Sequence, residues 1–352
     1  MFLLITSSII QRHKNGTMSN DSPTMTQFTI HAKMQLTTRE KNALAIDDMN
    51  NTIIDKTAYF QQWTTSMQGR MESVLDTHLP PADASPATLH EAMRYSVIGG
   101  GKRVRALLAY AAGEFCGAKM DVIDMPAAAV EMIHAFSLVH DDLPCMDDDD
   151  LRRGKPSTHK QYGDAMALLA GDALQSLAFQ LISHDKLLHS ATQKLQMLHL
   201  LAMASGSRGM AGGQAIDLES IGIPLSQAEL EHMHIQKTGA LIRAAALLGA
   251  YSAPQPSDDK LKAVDHYAKS IGLAFQVVDD ILDCEADTQT LGKTAGKDAQ
   301  HNKSTYVTIL GVAAAKQLVS ELHANAMAAL SFYGKEADLL RNLANFITQR
   351  GF

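Results

Sequence analysis

Six aspartates fall within ten residues, 141 to 150, in the run Val139-His-Asp-Asp-Leu-Pro-Cys-Met-Asp-Asp-Asp-Asp-Leu-Arg-Arg-Gly154. Asp141 closes a long helical pattern, and Pro144 cannot continue that helix. The chain must bend there, which can bring Asp147 back beside Asp141, with Asp142 next to both. Carboxylates gathered at a helix C-terminus repel one another and face the negative end of the helix dipole. A hard divalent cation removes that penalty. Mg²⁺ suits the site best, because it takes one or two carboxylates, keeps waters and completes its shell with phosphate oxygens. A second cluster, Phe275-Gln-Val-Val-Asp-Asp-Ile-Leu-Asp283, lies inside another helical pattern. Gln276, Asp279, Asp280 and Asp283 recur at spacings of three and four, so they are expected on one face. Their neighbours are apolar, and carboxylates in such a helix are costly unless paired or metal-bound. One such motif alone is also what a solvated helix face looks like; two of them, each ending an apolar helix, argue for a metal site.

Basic residues answer the carboxylates. Gly99-Gly-Gly-Lys-Arg-Val-Arg105 is read as opening a helix, with Lys102 and Arg105 on one face. Glycine lets the backbone approach an anion, and unpaired N–H groups at a helix start point at it, so this run reads as a diphosphate seat. Arg152 and Arg153 directly follow the aspartates, and the planar arginine fork suits phosphate. Further cations stand in Gln236-Lys-Thr-Gly239, Leu291-Gly-Lys-Thr-Ala-Gly-Lys-Asp298 and Lys303-Ser-Thr-Tyr306.

Other chemistries are excluded. Gly292-Lys293-Thr294 looks like the end of a nucleotide-binding P-loop, but position 287 is Asp where that loop needs Gly, and no strand precedes it. There is no calcium-loop pattern, no HExxH zinc signature and no GxSxG nucleophile elbow. Gly206, Gly209, Gly212 and Gly213 read as a helix break beside Gln214 and Asp217.

The elements that must position these residues are helical. Ten prolines in 352 residues is low, and the chain is 46% hydrophobic with 5% aromatics. Apolar spacing of helical period marks 60–74, 106–115, 127–139, 165–182, 195–204, 241–251, 263–282 and 304–330, with no convincing strand. The expected fold is all-α: a single-domain helical bundle over 46–352 around a central apolar cavity. Residues 1–45 read as a disordered tail, or as an extension from an upstream start codon. The net charge is −7, which the nine aspartates of the two clusters more than account for, so no nucleic-acid partner is expected. No apolar run approaches 18 residues, so no membrane span is expected. Three widely spaced cysteines, Cys116, Cys145 and Cys284, fit neither a disulfide framework nor a zinc site and suggest the cytoplasm. The substrate should be apolar at one end and a diphosphate at the other.

From Ala92 to Tyr306 the ordered motifs GGKRVR, HAFSLVHDDLPCMDDDDLRRG, GGQAID, QKTGAL, FQVVDDILD, GKTAGKD and KSTY resemble the trans-prenyl diphosphate synthases, most of all the bacterial-type farnesyl diphosphate synthases. Ala106 and Val307 stand where that family commonly has proline, and neither change removes a charge or a ligand. The resemblance implies Mg²⁺, three ions per site, on Asp141 and Asp147 with Asp142 supporting, and on Asp279 with Asp280 and Asp283. It implies that Arg152, Lys237 and Lys293 hold the allylic diphosphate. Lys102, Arg105, His134 and Arg153 would hold isopentenyl diphosphate, with Lys303 also in the substrate-binding set. His134 lies seven residues before Asp141 and so on the same helix face.

The reaction implied is ionisation of the allylic C–O bond, attack by the isopentenyl double bond, and loss of a proton to the departing diphosphate. Lys237, Thr238 and Gln276 would face the carbocation. Phe136 and Ser137, five and four residues before Asp141, would form the cavity floor, and an aromatic at 136 implies a C15 product. Geranyl or geranylgeranyl diphosphate synthesis is the alternative within the family. A non-catalytic partner subunit and a terpene cyclase are further alternatives; the first is disfavoured by the intact motifs, the second by the seats for a second diphosphate. A homodimer is also implied.

Overall fold

The computed structural model describes residues 38–285 and 304–349, with side chains from residue 58. The chain divides into two units, residues 1–59 and 60–352. Of the first, only the beginning of helix α1 (Thr38–His78) is described, and that helix starts ahead of residue 46, where the helical spacing begins in the sequence. The rest of the expected tail lies outside the described residues.

The second unit is helical, as expected. After α1 come α2 (Ala87–Val97), α3 (Val104–Cys116) and α4 (Met120–Asp141). A two-residue hairpin, β1 (Leu151–Arg152) with β2 (Lys155–Pro156), pairs antiparallel and leads to α5 (Thr158–Tyr162). Then follow α6 (Asp164–His184), α7 (Ala191–Ser205), α8 (Met210–Glu219) and α9 (Gln227–His234). Helix α9 runs through one π-helical turn, Ile235–Gly239, into α10 (Ala240–Tyr251). Next are α11 (Asp258–Glu285), α12 (Tyr306–Leu310), α13 (Val312–Ala329) and α14 (Asp338–Thr348). The pattern over 304–330 is thus two helices, parted at Gly311.

Helices α3 and α10 are Ala- and Leu-rich and buried almost all round, which suits central helices. They pack on each other, and α4 and α6 form the neighbouring pair. A polar brace ties the core together. Arg70 Nε and Nη2 each donate to Asp124 at 2.7 Å, and the buried Tyr110 hydroxyl donates to the same carboxylate at 2.6 Å. Starts of helices are fixed locally: the Ser190 hydroxyl accepts from Gln193 N, and Ser226 and Thr305 each form a capping box.

By mean hydropathy over 18 residues, α4 and α6 are both long and apolar enough to cross a bilayer, although neither has an uninterrupted apolar run. The apolar window of α4 is 72% buried, as in the core helix of a folded domain. That of α6 is only 39% buried.

Candidate active site

The first aspartate cluster bends as the proline demands. Helix α4 ends at Asp141, and Asp147 N donates to Asp141 O at 2.9 Å, which returns the chain to the helix end. Asp142 caps the helix, is buried, and accepts from Arg152 Nε at 3.1 and 3.2 Å, one contact to each carboxylate oxygen. The hairpin that follows carries Arg152 back onto Asp142. His159, buried below the hairpin, lies 3.0 Å from Ser157 Oγ and faces Asp148. Burial pushes the Asp141 carboxyl up to about 6; Lys237 and Arg152 oppose the shift, while Asp147 and Asp142 add to it.

Opposite in sign is the glycine-rich run. Here the sequence reading is corrected: α3 starts at Val104, so Lys102 precedes the helix and does not share its face with Arg105. Between them, Arg103 takes a left-handed backbone conformation (φ 52°) and turns its side chain inward. Its guanidinium pairs with Glu72 at 2.7 Å and Glu131 at 3.3 Å, and donates to Val97 O at 2.5 Å. Lys102 is left exposed, its carbonyl accepting from Gln68 Nε2.

The glycines seat an arginine. A methyl group on Gly100 would lie 2.8 Å from Arg153 Cδ and Nη1, and one on Gly101 would lie 2.9 Å from Arg153 Nη2. Burial lowers the Arg105 pKa to about 10, with Glu131 and Asp279 opposing and Arg153 reinforcing. Arg105 Nε is buried and has no hydrogen-bond partner among the described residues. His134 is held well below its usual pKa, first by burial and then by Arg105, Arg153, Arg152 and Arg103. A neutral imidazole among four guanidiniums marks a strongly electropositive seat suited to a polyanion.

The third part is the π turn, which carries Lys237 and Thr238. Such turns re-aim side chains that a regular helix would direct elsewhere. Lys237 Nζ donates to Asp217 Oδ2 at 2.6 Å, and Thr238 Oγ1 donates to Gln276 Oε1 at 3.1 Å. Asp279 and Asp283, one helical turn apart on α11, are half-buried. Asp280 departs from the expectation that all three aspartates share a face. It is 5% exposed, one oxygen accepting from Gln276 Nε2 at 2.9 Å and the other from Tyr306 N at 2.8 Å.

Phe136 is half-buried, its ring edge-on to His140 with centroids 4.8 Å apart, and Ser137 Oγ donates to His134 O at 2.9 Å. Lys293 and Lys303 lie outside the described residues.

Among the described residues, no three His, Cys, Asp or Glu side chains converge closely enough to hold an ion by themselves. The donor set is all hard oxygen, and the turn gathers Asp141, Asp142 and Asp147 at one helix end. Both fit a cation that takes few protein ligands and completes its shell with water and phosphate. Sequence reasoning missed Arg103, Glu131 and Lys155, whose Nζ lies 3.9 Å from the Cβ position of Gly99. An arginine inside a phosphate-like motif gives no sign that it faces the core.

The Polyprenyl synthetase family model matches residues 86–332. The farnesyl diphosphate synthase of Escherichia coli is 45% identical over 295 residues, covering 83% of this chain and 99% of that protein. An apo crystal structure of an FPP/GFPP synthase from Zymomonas mobilis is 38% identical, with TM-score 0.75 over 83% of this chain and 99% of that one. A geranyltransferase from Helicobacter pylori, solved with magnesium and isoprenyl diphosphate, is 29% identical, with TM-score 0.72 over 82% and 96%. Matched by that family model over residues 86–332 and 45% identical to such a relative over most of both chains, the chain belongs to the polyprenyl synthetase family.

Proposed function

We propose that this chain condenses isopentenyl diphosphate head to tail with dimethylallyl or geranyl diphosphate, and that farnesyl diphosphate is the product. The observation that carries the reading is geometric: the turn that returns Asp147 N to Asp141 O at 2.9 Å gathers carboxylates at one helix end, and the Gly100–Gly101 backbone seats the Arg153 guanidinium. Mg²⁺ would be held by Asp141, Asp147, Asp279 and Asp283, three ions in all, with Asp142 supporting. When bound, it supplies Lewis-acid neutralisation of the leaving diphosphate.

This chain's own residues do the rest. Arg105, Arg153, His134 and the exposed Lys102 seat the diphosphate of isopentenyl diphosphate. Arg152 and Lys237, with Lys293, meet the allylic diphosphate, and Lys303 belongs to the same substrate-binding set. Breaking the allylic C–O bond leaves its electron pair on the departing diphosphate. Lys237, Thr238 and Gln276 line the space where positive charge develops. The isopentenyl double bond then donates its π pair to the allylic carbon, forming the new C–C bond. One proton passes to the released diphosphate, so the protein needs no general base. Phe136 and Ser137 form the floor that limits chain length.

The protein acts as a homodimer in the cytoplasm. The dimer is supported by the apolar α6, which is little buried and exposes Leu168 and Leu169 at about half of their surface. Free thiols at Cys116, Cys145 and Cys284 suit a reducing compartment. Incubation with Mg²⁺, isopentenyl diphosphate and either dimethylallyl or geranyl diphosphate tests the reading by product analysis. A C15 diphosphate from both primers is expected. A C10 or C20 end product selects geranyl or geranylgeranyl synthesis, and no elongation with any primer overturns the enzyme reading.

A further inference from the structure

We propose that Asp280 is a positioning residue that orients the Gln276 amide and, through it, the Thr238 hydroxyl; this rests on the prenyl-transfer reading above. The relay is continuous across three elements. Tyr306 N at the start of α12 donates to one Asp280 oxygen at 2.8 Å, and Gln276 Nε2 on α11 donates to the other at 2.9 Å. Thr238 Oγ1 on the π turn donates to Gln276 Oε1 at 3.1 Å.

The chemistry of the groups makes the relay directional. An ionised carboxylate only accepts, so Asp280 demands the NH₂ end of the Gln276 amide. Flipping that amide would set Oε1 against a buried carboxylate and is strongly disfavoured. With the amide fixed, Oε1 faces Thr238 and takes the hydroxyl proton. The threonine oxygen is then left with only lone pairs to offer, which stabilise a nearby cation, whereas an outward-pointing O–H would repel it. The Tyr306 N–H ties the carboxylate to the segment that follows Lys303-Ser-Thr, so Asp280 cannot swing towards Asp279 and Asp283 without leaving a buried N–H unpaired.

The test uses the full chain. Asp280→Asn keeps the shape, but the Tyr306 N–H claims its amide oxygen, so its NH₂ faces Gln276 and favours the flipped Gln276 amide, which takes Oε1 away from Thr238. The expected result is a fall in kcat of tenfold or more, with the Mg²⁺ concentration for half-maximal rate unchanged within twofold. Asp279→Asn, as a control, raises that Mg²⁺ concentration. In a Thr238→Val background, Asp280→Asn should cost less than threefold, because the relay's end is already missing. Should Asp280→Asn fail to fold, Asp280→Ser removes the carboxylate that holds the Gln276 amide, leaves Gln276 and Thr238 in place, and carries the same comparisons. The proposal is overturned by a raised Mg²⁺ requirement, by equal costs in both backgrounds, or by wild-type kcat. Absence of product from the wild-type protein would instead overturn the prenyl-transfer reading.

Discussion

Gly213 packs against the backbone of Lys237: a methyl group built on it would collide with the Lys237 nitrogen and Cα. Helix α8 therefore lies directly on the π turn, and Asp217, one turn further along α8, reaches the Lys237 ammonium. The position of Lys237 is set by the absence of a side chain at Gly213. Gly213→Ala must push the two elements apart, at about 1–3 kcal/mol of stability. We expect kcat to fall about tenfold or more while KM for isopentenyl diphosphate changes little, because the Arg105–Arg153 seat is on other elements. Steady-state kinetics with each substrate varied checks the split; unchanged kcat would refute the packing argument.

Arg153 depends on the glycine run in the same way. Gly100→Ala places a methyl group 2.8 Å from its Cδ and Nη1, so the guanidinium must move. The expected effect is a KM for isopentenyl diphosphate raised about tenfold, equivalent to about 1.4 kcal/mol of binding, with the allylic KM little changed. Equal changes in both KM values would contradict the assignment of Arg153 to the isopentenyl side.

The pH dependence of the metal-free protein has a definite sign. The Asp141 carboxyl titrates at about 6 in the folded chain against an ordinary 3.8. A raised carboxyl pKa means the folded state holds that proton more tightly, so stability falls as pH rises from 3.8 to about 6. Above that, the full penalty of the buried charge is present. Asp141→Asn removes it: without Mg²⁺, Tm at pH 8 should rise by on the order of 5 °C, converging with wild type below pH 3.8. Activity should be lost in the same variant. A Tm lowered at pH 8 would show that the carboxylate is already well neutralised by the protein.

Phe136→Ala should lengthen the product to C20 or beyond, read by chromatography of the dephosphorylated alcohols. Its ring is backed by His140, which is itself held 3.0 Å from Leu168 O, so the side chain is fixed rather than free to fold away. An unchanged product distribution would remove Phe136 from the floor.

Much of this was legible in the sequence, for identifiable reasons. Long helices such as α4 and α11 announce themselves because their apolar spacing runs for many turns. The bend at Pro144 and the return of Asp147 to Asp141 follow from what proline forbids. Short helices such as α2, α8, α9 and α14 were not read, since ten or so residues give period counting little to work on. Counting also failed wherever the backbone left the regular helix. The left-handed Arg103 broke the assumed face of Lys102 and Arg105, and the π turn at Ile235–Gly239 inserts a residue that no pattern signals. Asp280 was grouped with Asp279 and Asp283 because spacing alone does not say which side of a helix meets Tyr306.

The most direct measurement follows the bond changes themselves. With geranyl and isopentenyl diphosphates and Mg²⁺, the protein should release one inorganic diphosphate for each C15 diphosphate formed, and neither should appear when Mg²⁺ is chelated. Diphosphate release without a new C–C bond, or no release with either primer, would contradict the account.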